Sequence, residues 1–426
     1  MSQLVSLNEH ISTQKGFAFK SKWFVDIGRE IVKVSDFTSD SIEPSDLMKI
    51  SDELGEQYSR YALSTGDVII QTVGSWPSNP ASVVGKAVRV PKTVNGALLN
   101  QNAVKISPKE TIHRGFLYYL LRSDDFKEYI IGTAQGAASQ ASITLDAIKR
   151  YKFKLPVFDD QVLVAEYLEN YDNLIENNNR RIAILEEMAQ SLYREWFVNF
   201  RYPGHADGTK SSESADENCN KPTLIDSSLG PIPEGWEVRS AQEAITINPR
   251  TKLDKASENP FVGMSGLAEN SMVIGDVIQK QGNSGAKFIN GDTLFARITP
   301  CLQNGKTGYV QFLTGSQPVG FGSTEFIVLR ESEDLSSEFI YLLSRSNNFR
   351  EHAIQSMTGA TGRQRVHNDC FASHYITVPP RGLMDEFTAA VSPMFKSIFN
   401  LSKRNENLKK QRDMLLPKLI SGGIEL

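Results

Sequence analysis

The chain repeats itself at a constant offset of 223 residues, and this constrains its fold more than any other feature. Tyr118-Tyr119-Leu120-Leu121-Arg122-Ser123 with Phe126 recurs as Tyr341-Leu342-Leu343-Ser344-Arg345-Ser346 with Phe349, and Gly136-Ala137 recurs as Gly359-Ala360. Leu155-Pro156 becomes Val378-Pro379, then Leu185 and Leu192 become Leu408 and Leu415. Two copies in one polypeptide imply two similar globular units related by a pseudo-twofold axis, so whatever one copy grips is gripped twice.

The strongest periodic signal is Val164, Leu168, Tyr171, Ile175, Asn178, Ile182, Leu185, Ala189, Leu192 and Trp196, with spacings alternating between four and three. That is a coiled-coil seam. The same offset gives Phe387, Val391, Met394, Ile398, Leu401, Asn405, Leu408, Arg412, Leu415 and Leu419. Pairing the two helices antiparallel places one globular unit at each end. Facing residue numbers then add to 583: Val164 with Leu419, Leu168 with Leu415, Asn178 with Asn405, and Trp196 with Phe387. A buried Asn opposite an apolar residue leaves its amide unpaired at about 1–3 kcal/mol, whereas two facing Asn side chains satisfy each other and fix register. A seam of this length spans roughly 50 Å at about 1.5 Å per residue. A rod of that length can hold two units a helical turn of duplex or more apart, about 34 Å per turn; as an assembly device for a scaffold it needs no duplex at all. Pro393 lacks an N–H and is expected to delay or kink the second helix.

Five segments follow: a first globular domain over 1–155, a helix over 156–200, a polar linker over 201–230, a second domain over 231–378 and a second helix over 379–426. Each domain reads as α/β (α+β), from β-rich runs at 67–70, 83–90 and 103–106, matched by 292–296, 308–312 and 325–329. A single helix is expected over 116–131, and its counterpart starts at Glu338. The linker is rich in Ser, Gly, Asp and Asn and reads as a surface loop.

The net charge of −4 argues at first against a phosphate-rich partner, but its distribution weakens the objection and is compatible with one. Residues 159–200 carry nine acidic and three basic side chains, and 201–230 five and three, a combined −8 that leaves the rest of the chain at +4. Cys219, Cys301 and Cys370 are far apart and have no paired histidines, which suggests neither disulfides nor zinc. No apolar run reaches a membrane-spanning length and the N-terminus has no secretory pattern, so no membrane role and a cytoplasmic location are expected.

The order of several short motifs carries a likeness. Lys15-Gly16-Phe17-Ala18-Phe19-Lys20 and Leu63-Ser64-Thr65-Gly66-Asp67-Val68-Ile69 lie in the first domain, and Leu229-Gly230-Pro231-Ile232-Pro233-Glu234-Gly235-Trp236 opens the second. Arg180-Arg181-Ile182-Ala183-Ile184-Leu185-Glu186-Glu187-Met188 and Leu192-Tyr193-Arg194-Glu195-Trp196-Phe197 lie on the first helix; Arg412-Asp413-Met414-Leu415-Leu416-Pro417-Lys418-Leu419-Ile420-Ser421-Gly422 closes the second. With the duplication, they make the chain resemble the specificity subunit of Type I restriction-modification enzymes. The resemblance implies two target-recognition domains, each reading half of a bipartite site in double-stranded DNA, and helices that set the gap and dock methyltransferase subunits. It also implies restriction/translocase partners, and leaves S-adenosylmethionine, ATP and Mg chemistry to the partner subunits. One departure is that the first domain opens without its own Pro-Glu-Gly-Trp segment.

The chain itself reads as non-catalytic, with no cofactor of its own. It contains no Asn/Asp-Pro-Pro-Tyr/Phe methyltransferase motif, no phosphate-binding Gly-x-x-x-x-Gly-Lys-Ser/Thr loop and no Gly-x-Gly-x-x-Gly. Asp276 with Gln279 and Lys280 lacks the second carboxylate that a metal-dependent nuclease site requires.

Two regions of each domain are candidates for DNA contact. One is the Gly-rich turn, with Ser139 and Gln140 in the first copy and Arg363, Gln364 and Arg365 in the second. Small residues there let backbone approach phosphate, while Arg and Gln offer forked groups that match guanine and adenine edges. The other is the strand and loop after a Gly-Asp turn: Gln71, Trp76, Asn79 and Lys86 in the first domain, Arg297, Gln303, Asn304 and Lys306 in the second. A plain turn feeding the next strand is the competing reading for the first copy. Across classes, the competing function is a protein-interaction scaffold with two globular ends on a helical spacer.

Overall fold

The computed structural model describes residues 3–77, 82–137, 140–203, 224–360 and 362–424. The chain divides into two compact units, residues 1–175 with 407–426 and residues 176–406. Each unit holds one globular head and takes part of each long helix.

In the first unit, an antiparallel sheet runs in the order Ile11–Lys15, Ala103–Pro108, Val68–Gln71, Ala87–Arg89. In the second the order is Thr246–Ile247, Phe326–Arg330, Thr293–Ala296, Thr307–Tyr309. Even the register repeats, since Val68 lies opposite Arg89 and Thr293 opposite Tyr309. A second sheet repeats a parallel pair, at the sheet edge in the first head and at its centre in the second: Arg29–Val32 beside Leu98–Leu99, and Glu258–Val262 beside Gly320–Gly322. The mostly antiparallel pairing makes each head α+β. The Gly-Asp turns that open the central strands, Gly66-Asp67 and Gly291-Asp292, have φ of 85° and 93° at glycine. In both, the Asp carboxylate accepts the backbone N–H three residues back, from Ser64 and Ile289 at 2.8 Å. A conformation unfavourable to any side chain explains the glycine, and the carboxylate closes the turn.

The helix expected over 116–131 is two helices, Arg114–Leu120 and Asp124–Gly132, and its counterpart is likewise two, Ser337–Arg345 and Asn347–Gln355. Ser123 and Ser346 cause the break, for each side-chain oxygen accepts the N–H of the Phe three residues on and starts a new helix. The first helix of each pair lies in its head's core, with Phe116, Leu117, Tyr118 and Tyr119 at no more than 1 % exposure.

The long helices span Phe158–Tyr193 and Arg381–Ile420. Within each unit they run antiparallel. In the first unit Val164 and Leu168 share a buried cluster with Leu416, Leu419 and Ile420, and Arg412 Nη1 reaches Asp172 Oδ1 at 2.6 Å. In the second, Asn178 Nδ2 donates to Asn405 Oδ1 at 2.8 Å, and Asn405 Nδ2 donates to Asn179 Oδ1 at 2.8 Å. The rings of Trp196 and Phe387 are 5.5 Å apart. Ile175, Ile182, Ile398 and Leu401 are buried, while Leu185, Leu192, Leu408 and Leu415 are half-buried. Beside Leu192 and Leu415 the burial passes to Tyr193 and Leu416, also 223 residues apart, because the helix turns that side toward its head; the Tyr193 ring lies 5.4 Å from that of Phe339, tilted by 56°. The second helix continues through Pro393, contrary to the expected interruption. Ala389, whose carbonyl loses its acceptor role, is exposed, so water can take the missing bond.

Candidate nucleic-acid interface

The two candidate regions of each head meet. In the first head Gln135–Ala137 and Gln140–Ser142 form a hairpin whose second strand pairs with Val73–Gly74, giving Ala141 opposite Gly74 and Ser142 opposite Val73. Trp76 Nε1 donates to Ala137 O at 2.9 Å and ties the loop to the hairpin. Gly136 is required here: at φ 147° a Cβ would lie 2.1 Å from Gln140 O. In the second head the same places are joined by single bridges, Thr358 to Arg365 and Arg365 to Ile298. Thr358 and Arg365 are Gln135 and Ser142 moved by 223, so the loop cluster is repeated as a unit.

The side chains on this shared frame differ in what they can offer. Gln140, Gln303, Asn304 and Arg363 are exposed. Among the described residues the Arg363 guanidinium has no hydrogen-bond partner. Gln364 is half-buried and its backbone N–H donates to Thr299 Oγ1, which fixes the turn through the backbone. Arg365 makes two-point contact with Glu325, at 2.7 to 3.0 Å. This bonding holds the Glu325 carboxyl below the usual carboxylate range. An Arg so committed would have to leave Glu325 before reading a base edge.

Five candidate residues need restating. Gln71 is not an interface residue, because it is fully buried and its Nε2 donates to Val73 O, Ser82 O and Ser82 Oγ, fastening the base of the loop. Arg297 also works inward, donating from Nη2 to Val366 O at 2.6 Å. Asn304 Nδ2 donates to Glu269 Oε1 at 3.0 Å, and Lys306 Nζ to Met264 O at 3.4 Å, so both support loops of their own head. Lys86 is half-buried on the wall of a cavity, and burial lowers its ammonium below the usual lysine range. Asn79 and Ser139 lie outside the described residues. Sequence reasoning did not find Glu325; its signal was present only as an acid at the start of a strand, 40 residues from its partner.

Among the described residues no group of three or more His, Cys, Asp or Glu is placed to hold a metal ion, and no helix is long and apolar enough to cross a membrane. The exposed side chains of the loop clusters offer amide and guanidinium groups, at Gln140, Gln303 and Arg363.

Comparison with known proteins places this frame in a class. Residues 3–187 match the family described as Type I restriction modification DNA specificity domain. The specificity subunit of the Type I restriction enzyme MjaIX from Methanocaldococcus jannaschii is 26% identical over 346 residues, 78% of this chain and 74% of that one. The EcoEI specificity subunit of Escherichia coli is 34% identical over 155 residues, 35% of this chain and 26% of that one. The fold is also that of the crystal structure of a Type I restriction-modification S subunit from M. genitalium, with a TM-score of 0.52, 13% identity, and 98% and 96% of the two chains covered. The similarity found is therefore to specificity subunits of Type I restriction-modification enzymes, by the family model over residues 3–187 and by longer, more distant matches over most of the chain.

Proposed function

We propose that this chain supplies the DNA-sequence specificity of a Type I restriction-modification assembly. Each head reads one half of a bipartite duplex target, and the helical segments set the interval between the halves. The observation that carries this reading is the repeated loop cluster: one frame, in matching register, presenting Gln140 in one copy and Arg363 and Gln364 in the other. Different polar groups on a common frame are what two half-sites of unlike sequence require.

The chain is proposed to be non-catalytic, with methyl transfer using S-adenosylmethionine and ATP- and Mg-dependent steps left to modification and restriction subunits. Exposed apolar side chains on the long helices favour such partners: Leu163, Tyr167 and Leu174 on the first helix in the first unit, Ile184 and Met188 on it in the second. Side chains of this kind at helical spacing mark a docking face.

Selection from random duplexes, with and without methyltransferase subunits, tests the reading. Enrichment of a split motif with a fixed gap supports it. Absence of any enriched motif with the partners present would overturn it in favour of a protein-interaction scaffold.

A further inference from the structure

The first head contains a cavity of about 620 Å³ that the DNA-reading role does not use. Its walls are apolar at Phe37, Val84, Leu121 and Ile131, and three cations, Lys86, Arg122 and Lys127, line it with no carboxylate among the lining residues. This volume lies in the ordinary range of small-molecule sites, about 300–1,000 Å³.

In the second head the equivalent cations have hydrogen-bond acceptors of their own. Arg345 and Arg350 are Arg122 and Lys127 moved by 223, and Lys306 is the counterpart of Lys86, each following a positive-φ glycine, Gly85 or Gly305, and directly preceding the edge strand. There Arg345 Nη1 donates to Glu269 O at 2.9 Å and to Gly305 O at 2.8 Å, and Arg350 Nη2 to Gln303 O at 3.1 Å. Lys306 Nζ reaches Met264 O. Carbonyl oxygens from two loops therefore take the place of solvent around the three cations. In the first head, among the described residues, none of the three side chains bonds a carbonyl oxygen. Arg122 Nη1 donates to Tyr118 Oη at 2.6 Å, Lys127 holds only an exposed contact with Asp124 at 3.0 Å, and Lys86 is desolvated without a carboxylate.

We propose that this cavity is a binding site for a small organic anion with an apolar body, its anionic group held by Lys86, Arg122 and Lys127 and its body packed on Phe37, Val84, Leu121 and Ile131. Charge complementarity selects the anionic end, since a cation or a second guanidinium would meet three like charges. The apolar walls select the body.

Calorimetric titration of the full chain with 2-naphthoate and with its uncharged isostere 2-naphthamide tests the proposal. One site per chain is expected for the acid, with the amide at least tenfold weaker. Lys127→Gln, on an exposed helical face, weakens the acid about fivefold, and Ile131→Trp, which fills the cavity, abolishes its binding at an unchanged thermal midpoint. Arg350→Gln, in the second head, leaves it unchanged. Equal binding of acid and amide, no saturable binding of either, or naphthoate affinity untouched in a folded Ile131→Trp chain would overturn the proposal.

Discussion

The two heads are joined to the long helices at equivalent positions by opposite chemistry. Arg89 and Tyr309 share a register position; Tyr118 and Tyr341, Tyr119 and Leu342, Glu169 and Ser392, Asp172 and Phe395, and Ala189 and Arg412 are each 223 residues apart. In the first unit these positions form an ionic network. Arg412 bonds Asp172 at 2.6 Å, Tyr119 Oη donates to Asp172 Oδ2 at 2.7 Å, Arg89 bonds Glu169 at 2.6 Å, and the Arg89 guanidinium lies 4.7 Å over the Tyr118 ring. Burial pushes the Tyr118 hydroxyl up to about 12, and Tyr119 further still. In the second unit the same positions form an aromatic cluster, with Tyr309 and Tyr341 at 4.9 and 5.7 Å from Phe395 and 5.9 Å from each other.

One backbone frame thus accepts either solution, so neither chemistry specifies the frame. What differs is the mode of failure. An apolar cluster loses packing when truncated, whereas an ionic network truncated on one side leaves a buried charge without its partner. The polar contacts between the helices differ in the same sense: Arg412 with Asp172 in the first unit, the neutral Asn178 and Asn405 in the second.

The largest expected effect is that of Asp172→Ala, which strands a guanidinium only 6% exposed and should cost about 3–5 kcal/mol in denaturant unfolding. A loss under about 1 kcal/mol would mean that Asp413 and Asp40 already neutralise Arg412 and that the contrast is only apparent. Next comes Asn178→Leu, expected to cost about 1–3 kcal/mol because Asn405 Oδ1 loses its donor, with much of that regained in Asn178→Leu/Asn405→Leu. A double variant no better than the single would show that the amide pair is not the cause. Rebuilding the first junction on the pattern of the second, as Arg89→Tyr/Asp172→Phe/Arg412→Ala, should leave stability within about 2 kcal/mol of the parent. A loss as large as that of Asp172→Ala would break the equivalence of the two junctions.

The smallest effect is a pH dependence confined to the second unit. Burial, and then the neighbouring His352 at 4.7 Å between ring centroids, lowers His374 to about 4. With its unfolded value near 6.5, the unfolded chain binds the extra proton first on acidification. This contribution is therefore complete above about pH 6.5 and is lost as pH falls toward 4, by on the order of 1 kcal/mol once partial exposure is allowed for. His374→Phe should flatten that part of the stability profile, and an unchanged slope would assign it to other groups.

Much of the fold was legible because it depends on repetition. Spacings of four and three place Asn178 opposite Asn405 and Trp196 opposite Phe387, and a helix seam needs no other information. Ser123 and Ser346 also carried a readable signal, since a Ser three residues before a Phe can cap a helix, but the continuous apolar pattern on either side concealed it. Short strands such as Leu98–Leu99 and Met48–Ile50 gave too few alternating positions to stand out. At the interface, the Gly-rich turn and the loop at Trp76 could be picked out by residue type and do meet. Which polar groups face outward could not, because that depends on partners distant in sequence: Ser82 for Gln71, Val366 for Arg297, Glu325 for Arg365. The ionic and aromatic junctions were hidden for the same reason.

The most direct test of the two-reader account compares duplexes selected by the parent chain, assembled with methyltransferase subunits, with those selected by Arg363→Ala. The account predicts that one half of the motif loses base preference at a cost of about 1–3 kcal/mol while the other half and the gap are unchanged. Uniform weakening across all sequences, or loss of preference in both halves together, would contradict it.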